Sequence, residues 1–274
     1  MRILVKVGGA QVEAARERAE LVRSVARARS EGNEVVLVHG GGNQIRALGA
    51  RLGLPERYHD GLRVTDAATA EVVLMVLAGL VNKELVAAFE AEGTRAVGIC
   101  GADGGTFTAI PERRAAGLGY VGAVGASDPR LVETLLVEGY LPILSTAAPL
   151  AAGVAGPRDR FYNVNADLAA GPLARVISAD ALLFLTDVPG VLDARGARID
   201  DLSPARCAEL RASGVIHGGM IPKVEAALAA LAESPRALVK IAPAGGPDAV
   251  RAALGPGVGT RFTARRKAWT NTSS

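Results

Sequence analysis

Residues 2–9, RILVKVGG, and residues 34–42, EVVLVHGGG, are two short runs of Val, Leu and Ile that each stop on glycine. A β-branched run of this length reads as a strand, and one that is apolar on both alternating faces reads as a strand covered on both sides, as in a parallel sheet between helices. Working outward, similar runs recur at 95–100 (RAVGIC), 141–145 (LPILS), 181–185 (ALLFL) and 237–241 (ALVKI). Between them lie Ala/Leu/Glu/Arg stretches long enough for helices at 11–31, 43–52, 66–92, 128–138, 166–178, 203–213 and 221–233. Strand and helix alternating in this way predict an α/β fold of βαβ units around a largely parallel open sheet. The Gly/Pro/Ala-rich stretches 101–127 and 146–161 interrupt the alternation and predict hairpins or mobile loops over a site.

The 274 residues are 49% hydrophobic and 22% charged, enough for one large domain or two unequal lobes and no basis for wholesale disorder. With 4% aromatic residues, and basic side chains interleaved with Asp and Glu at a net charge of +3, a nucleic-acid partner is not expected. Cys100 and Cys207 stand far apart with no CxxC and no His cluster, so neither a disulfide framework nor a zinc site is expected. Residues 2–7 are too short for a signal peptide, and no uninterrupted apolar run approaches the ~20 residues of a membrane span. The expectation is a cytoplasmic protein without membrane contact. Helix 66–92 carries Val72, Leu74, Met75, Leu77, Leu80, Val81, Leu85 and Phe89 around more than half its circumference, which predicts burial on two sides, one of them against a second subunit.

Ligands of open α/β sheets bind where strands end, and glycines there expose backbone N–H groups to anions, which singles out Gly8-Gly9 and Gly40-Gly41-Gly42. Gly117-Leu-Gly119-Tyr-Val-Gly122 fits GxGxxG, but it follows RRAA and leads into AVGASDP, without the strand and helix a dinucleotide fingerprint needs; no GxxxxGK[ST] occurs. Five of the 31 basic residues are lysines, at 6, 83, 223, 240 and 267, so each stands out against an arginine background. Lys6, late in an apolar strand, either pairs with a buried carboxylate or points at a phosphoryl group. Lys223, in GGMIPK (218–223), is either a solvated lysine near a helix start or a second phosphate ligand. In YNVNAD (162–167), Asp167 either caps the following helix or organises lysines, while Asn163 and Asn165 are placed to hydrogen-bond a substrate. Arg63, in GLRVTD (61–66), offers a fork for a carboxylate, and Asp187, in TDVPGVLD (186–193), is a cap or a contact to a nucleotide or its metal.

In order along nearly the whole chain, VKVGG (5–9), VHGGG (38–42), GLRVTD, NKELV (82–86), YNVNAD, TDVPGVLD and GGMIPK resemble the amino acid kinase family, and within it the members that phosphorylate N-acetylated glutamate. The start differs from the KFGGT of aspartokinase-like members, and Leu168 and Pro172 are unusual beside YNVNAD. The resemblance implies an αβα sandwich of the amino acid kinase or carbamate kinase-like kind. Residues 1–160 would form an N-terminal lobe for the acyl amino acid and for dimerisation, 161–264 a C-terminal lobe for ATP, and 265–274 a flexible tail without function. It makes Lys6 and Lys223 the lysines that stabilise the transferred phosphoryl group and Asp167 the residue that positions them. Gly41, Gly42, Arg63, Asn163 and Asn165 would hold the acceptor; Gly8, Gly9, Gly40, Asp187, Gly190, Gly219 and Met220 would hold ATP; no protein residue would bind metal.

The implied reaction is Mg2+- and ATP-dependent phosphorylation of the γ-carboxylate of N-acetyl-L-glutamate, for arginine biosynthesis, by a homodimer. Arginine-inhibited members are similar to one another in an extra helix ahead of the first strand, and strand one begins here at Arg2, so insensitivity to arginine is also implied. Two alternatives stay open: a kinase for aminoadipate or glutamate on an acidic carrier protein, docked by Arg113-Arg114, and a non-catalytic amino-acid or nucleotide sensor.

Overall fold

Ile3, Leu4, Val5 and Val7 of the first strand are all fully buried, so that strand lies between two layers. In the computed structural model, which describes residues 1–113 and 117–264, the chain opens with β1 (Arg2–Val7), α1 (Gly9–Glu13), α2 (Ala15–Ser30), β2 (Glu34–His39) and α3 (Gly42–Arg51). The hairpin β3 (Tyr58–His59) and β4 (Leu62–Arg63) leads into α4 (Ala67–Leu74), a π-helical segment (Met75–Val81) and α5 (Asn82–Ala91), one continuous helical rod. Then come β5 (Ala96–Ile99), β6 (Phe107–Pro111), β7 (Val121–Ser127), α6 (Arg130–Val137), β8 (Leu141–Ser145), β9 (Ala147–Ala148), β10 (Tyr162–Val164) and α7 (Ala166–Val176). The last part holds β11 (Ala181–Thr186), β12 (Asp201–Leu202), α8 (Pro204–Ala212), α9 (Met220–Glu233), β13 (Leu238–Pro243), α10 (Ala249–Leu254) and β14 (Thr260–Phe262).

Eight strands form the main sheet in the order β12-β14-β13-β11-β1-β2-β8-β5, parallel except where β13 meets β14. Side chains alternate between two cores, as the two-residue period of a strand requires. Leu4, Val38 and Phe184 pack with residues of α6, α7, α8 and α9 on one face. Ile3, Val5 and Leu183 pack with α2, α10 and the long helical rod on the other. The result is an αβα sandwich. Strand order turns at β1, with β2 on one side and β11 on the other, and the crevice beyond the carboxyl ends of such strands is where doubly wound sheets bind ligands. A smaller sheet, β6-β7-β10-β9, sets Asn163 beside Val121.

The anticipated strands and helices are present with ends shifted by a few residues, and three details differ. The helix expected over 11–31 is interrupted at Ala14, whose extended backbone (φ −80°, ψ 136°) separates α1 from α2. The hairpin β3–β4 was not anticipated, although its signal is local: Asp60-Gly61 (φ 48° and 76°) is a two-residue turn of the kind that matches strand twist. The 146–161 stretch is pinned rather than loose, because the Arg158 guanidinium donates to the carbonyls of Leu150, Ala151 and Val154. Within this one chain the long rod is buried through Val72, Val76, Val81, Leu85 and Phe89, and the side left for the expected second subunit carries Met75 and Leu80, 57% and 49% exposed. That rod is apolar and long enough by composition to cross a membrane, yet Asn82 within it is fully buried and hydrogen-bonded to β8.

Gly117–Gly122 leads into β7 and not into a helix, with Thr65 bridging Gly119. Arg114 of the Arg113-Arg114 pair and the tail 265–274 lie outside the described residues.

Candidate active site

Lys6 shares the face of β1 that carries Leu4 and therefore points toward α7. Its Nζ lies 2.5 Å from Asp167 Oδ1, and Asp167 Oδ2 lies 3.6 Å from Lys223 Nζ. Helix geometry sets up this triad. Asn165, not Asp167, is the N-cap of α7: its Oδ1 accepts from the N–H groups of Asp167 and Leu168 at 2.9 and 3.2 Å. This corrects the capping alternative for Asp167 and leaves Asn165 only its Nδ2 for a ligand. Lys223 arrives from the first turn of α9, which lies close on α7 because residue 171 is glycine; a Cβ there would sit 3.0 Å from Ala230 Cα.

The electrostatics of the triad oppose one another. Burial raises the Asp167 pKa, but the charges of Lys6 and Lys223 and their hydrogen bonds outweigh it and hold the carboxyl below its ordinary 3.8. Burial pulls the Lys6 ammonium below 10.5, with Asp167 opposing and Lys223 reinforcing the shift. Two cations on one carboxylate leave the site one positive charge in excess, and the N-termini of α3 and α7 add partial positive charge beside it.

Lys6, Asp167 and Lys223 line a cavity of about 270 Å³ together with Gly8, Gly9 and Gly40–Gly42. The same cavity is also lined by Tyr58, Arg63, Thr146, Asn163 and Asn165. Arg63 is 9% exposed and rigidly held: Nη1 pairs with Glu56 Oε1 at 2.9 Å, and Nη2 donates to the Gly42 carbonyl at 3.0 Å and to Tyr58 Oη at 2.6 Å. Asn163 Nδ2 donates to Thr65 Oγ1 at 3.2 Å. The Gly8 N–H is already given to Gln11 Oε1 at 3.1 Å.

The structure thus gathers Lys6, Gly8, Gly9, Gly40, Gly41, Gly42, Arg63, Asn163, Asn165, Asp167 and Lys223 around one space. Asp187, Gly190, Gly219 and Met220 do not line it: Asp187 borders a second cavity of about 660 Å³ with Gln11, Thr186 and Ala244, and Gly190 packs on Thr260. Sequence reasoning missed Glu56, Tyr58 and Thr146. The Asp60-Gly61 turn could have placed Tyr58 opposite Arg63; nothing local marks Thr146. Among the described residues no group of three or more His, Cys, Asp and Glu is arranged to hold a metal ion, and the Asp167 carboxylate is engaged by two ammonium groups.

The profile of the amino acid kinase family matches residues 1–240. A protein named acetylglutamate kinase from Synechococcus sp. is 42% identical over 265 residues, covering 95% of this chain and 82% of its own. Among solved structures, smu.665 from Streptococcus mutans UA159 has a TM-score of 0.80 at 28% identity, over 96% of this chain and 99% of that one. Giardia carbamate kinase shares the fold, with a TM-score of 0.71 at 17% identity over 96% of this chain and 99% of its own.

Proposed function

The chain belongs to the amino acid kinase family, and from that premise we propose that it transfers the γ-phosphoryl group of ATP to the γ-carboxylate of N-acetyl-L-glutamate. The products are N-acetyl-L-glutamyl 5-phosphate and ADP, a step of arginine biosynthesis. The observation that carries this reading is the single carboxylate of Asp167 holding Lys6 and Lys223 beside two glycine loops. An acceptor carboxylate has a pKa near ~4 and is ionised at neutral pH, so no general base is required. The barrier is the approach of two anions in line, which the chain meets with charge and alignment.

In this mechanism Lys6 and Lys223 neutralise the equatorial oxygens of the moving phosphoryl group, and Asp167 keeps both ammonium groups on one point. The amides of Gly9, Gly41 and Gly42 face the same group. Arg63, fixed by Glu56 and the Gly42 carbonyl, takes the acceptor's α-carboxylate, and Asn163 the same end of that molecule. The rest of ATP extends over the C-terminal lobe toward Asp187, Gly190, Gly219 and Met220. Mg2+ would enter with the nucleotide and supply charge neutralisation to its phosphates beside Lys6 and Lys223.

We assign residues 1–160 to acceptor binding and dimerisation and 161–264 to ATP. The exposed Met75 and Leu80 on the long rod support a homodimer through that face. Two free, buried cysteines, Cys100 and Cys207, suit the reducing cytoplasm.

Trapping the acyl phosphate with hydroxylamine tests the reaction. Hydroxamate is expected with ATP and N-acetylglutamate, and not with glutamate, aspartate or N-acetylaminoadipate. Comparable turnover of any of these three would overturn the acceptor assignment.

A further inference from the structure

Asn82 and Lys83, where the π-helical segment returns to α-helix, take no part in the site above, yet Asn82 is fully buried. Lys83 Nζ lies 3.1 Å from Asn82 Oδ1 and 2.9 Å from the Gly98 carbonyl. An ammonium can only donate, so the amide of Asn82 turns its oxygen to Lys83 and its NH2 the other way. That NH2 donates to the Ile143 carbonyl at 3.0 Å and to His39 Nε2 at 3.1 Å. With Nε2 accepting, the imidazole carries its proton on Nδ1, and Nδ1–H donates to the Gly40 carbonyl at 2.9 Å. Each donor and acceptor along this line has one role.

We propose that His39 is a positioning residue: locked by Asn82, it fixes the Gly40 carbonyl and so the path of Gly41 and Gly42, whose amides face the transferred phosphoryl group. The inference rests on the phosphoryl-transfer reading above. Burial pulls the His39 pKa down to about 4, the Gly40 hydrogen bond opposing and the Lys83 charge reinforcing, so the ring is the neutral donor–acceptor this geometry needs. The far end has no slack. A Cβ on Gly98 would stand 1.8 Å from Asn82 Oδ1 and 2.9 Å from Lys83 Nζ, so the line reaches β5 because residue 98 is glycine. Such π-helical segments are frequent at functional sites, and here one delivers Asn82 to the back of the glycine loop.

The test uses the full-length protein and two substitutions that split the ring's functions. The amide nitrogen of Asn falls near that of ring Nδ1, and the amide nitrogen of Gln near that of Nε2. His39→Asn thus keeps the donor to Gly40, and His39→Gln loses it. Misaligning a phosphoryl site costs about 10- to 100-fold, so H39Q is expected to lower kcat by that factor with both KM values within about threefold, while H39N retains kcat within about threefold of wild type. Equal losses in the two variants, or better retention in H39Q, overturn the proposal. Nitrogen NMR of the wild-type ring gives a readout independent of turnover: the Nδ1–H tautomer is expected, and an Nε2–H tautomer overturns it. Wild-type protein that fails to phosphorylate N-acetylglutamate refutes the functional reading, whereas a turning-over wild type with H39N and H39Q equally impaired refutes only the role of His39.

Discussion

Lys6 Nζ stands 2.5 Å from Asp167 Oδ1 while Lys223 Nζ stands 3.6 Å from the other oxygen of the same carboxylate, so the two lysines share one anion unequally. Lys6→Ala and Lys223→Ala are each expected to lower kcat by roughly 10²–10³, the scale of one lost preorganised donor. Their effects on stability should differ. The Lys6 side chain is 6% exposed and its loss leaves the buried carboxylate only the longer contact to Lys223, whereas Lys223 is 25% exposed, so Lys6→Ala is expected to be the more destabilising of the two. Initial rates and denaturant midpoints on the two variants measure both quantities; a wild-type kcat in either removes that lysine from the mechanism.

Acid stability follows from the same carboxylate. Asp167 is held below its ordinary 3.8 when folded, so the native state binds fewer protons than the unfolded chain in that range. Its contribution is present above pH 3.8 and is lost as pH falls through the folded value. In Lys6→Ala the lowering shrinks, and circular dichroism should show acid unfolding at a higher pH than in wild type. An unchanged acid midpoint would contradict the assignment.

Arg63→Ala should raise the KM for the acyl amino acid about 10- to 100-fold and leave that for ATP within about threefold, because Arg63 lines the cavity and the proposed function gives its fork the acceptor's α-carboxylate. Arg63→Lys should not restore it, since an ammonium cannot replace the contacts that Nη1 and Nη2 make to Glu56, Tyr58 and the Gly42 carbonyl. Separate titrations of the two substrates decide the point.

His39 adds a second pH window. Its pKa falls from 6.5 in the unfolded chain to about 4 when folded, so its contribution is complete above pH 6.5 and declines as pH drops toward 4. Lys83 is the charged group that reinforces this shift. The full swing is about 3 kcal/mol at 1.36 kcal/mol per unit. Denaturant unfolding at pH 7.5 and 5 should show wild type losing more stability than H39N over the interval; parallel losses would show that His39 is not the group titrating.

If the proposed homodimer forms through the rod, Met75→Glu with Leu80→Glu should leave a folded monomer, because both side chains are about half exposed on the solvent side of the rod. Light scattering reports the mass and circular dichroism the fold.

The alternation of β-branched runs with helical stretches, the glycines at the ends of β1 and β2, and the two lysines that stand against an arginine background were all legible in the residue order, since each is a local pattern with a period or a punctuation mark. Asp167 was legible as a candidate partner for those lysines. Its alternative as a helix cap was decided by the backbone at Asn165, which is one turn's geometry and not a matter of composition. The long apolar helix was legible too, but which of its sides meets the sheet was not, because hydrophobic residues run around most of its circumference.

The residue order by itself therefore determined the layered α/β plan, the placement of glycine loops at strand ends and the chemistry available there, because these follow from neighbours within a few positions. Only the tertiary structure decided that Lys6 and Lys223 meet on one carboxylate, that Glu56 and the Gly42 carbonyl brace Arg63, and that Lys83 reaches the glycine loop through Asn82 and His39. The Lys6–Asp167–Lys223 meeting and the Asn82–His39 contact join residues far apart in the chain through packing of α7 on α9 and of the long rod on the sheet, at the close approaches of Gly171 and Gly98, where the absence of a side chain matters only once the partner is in place.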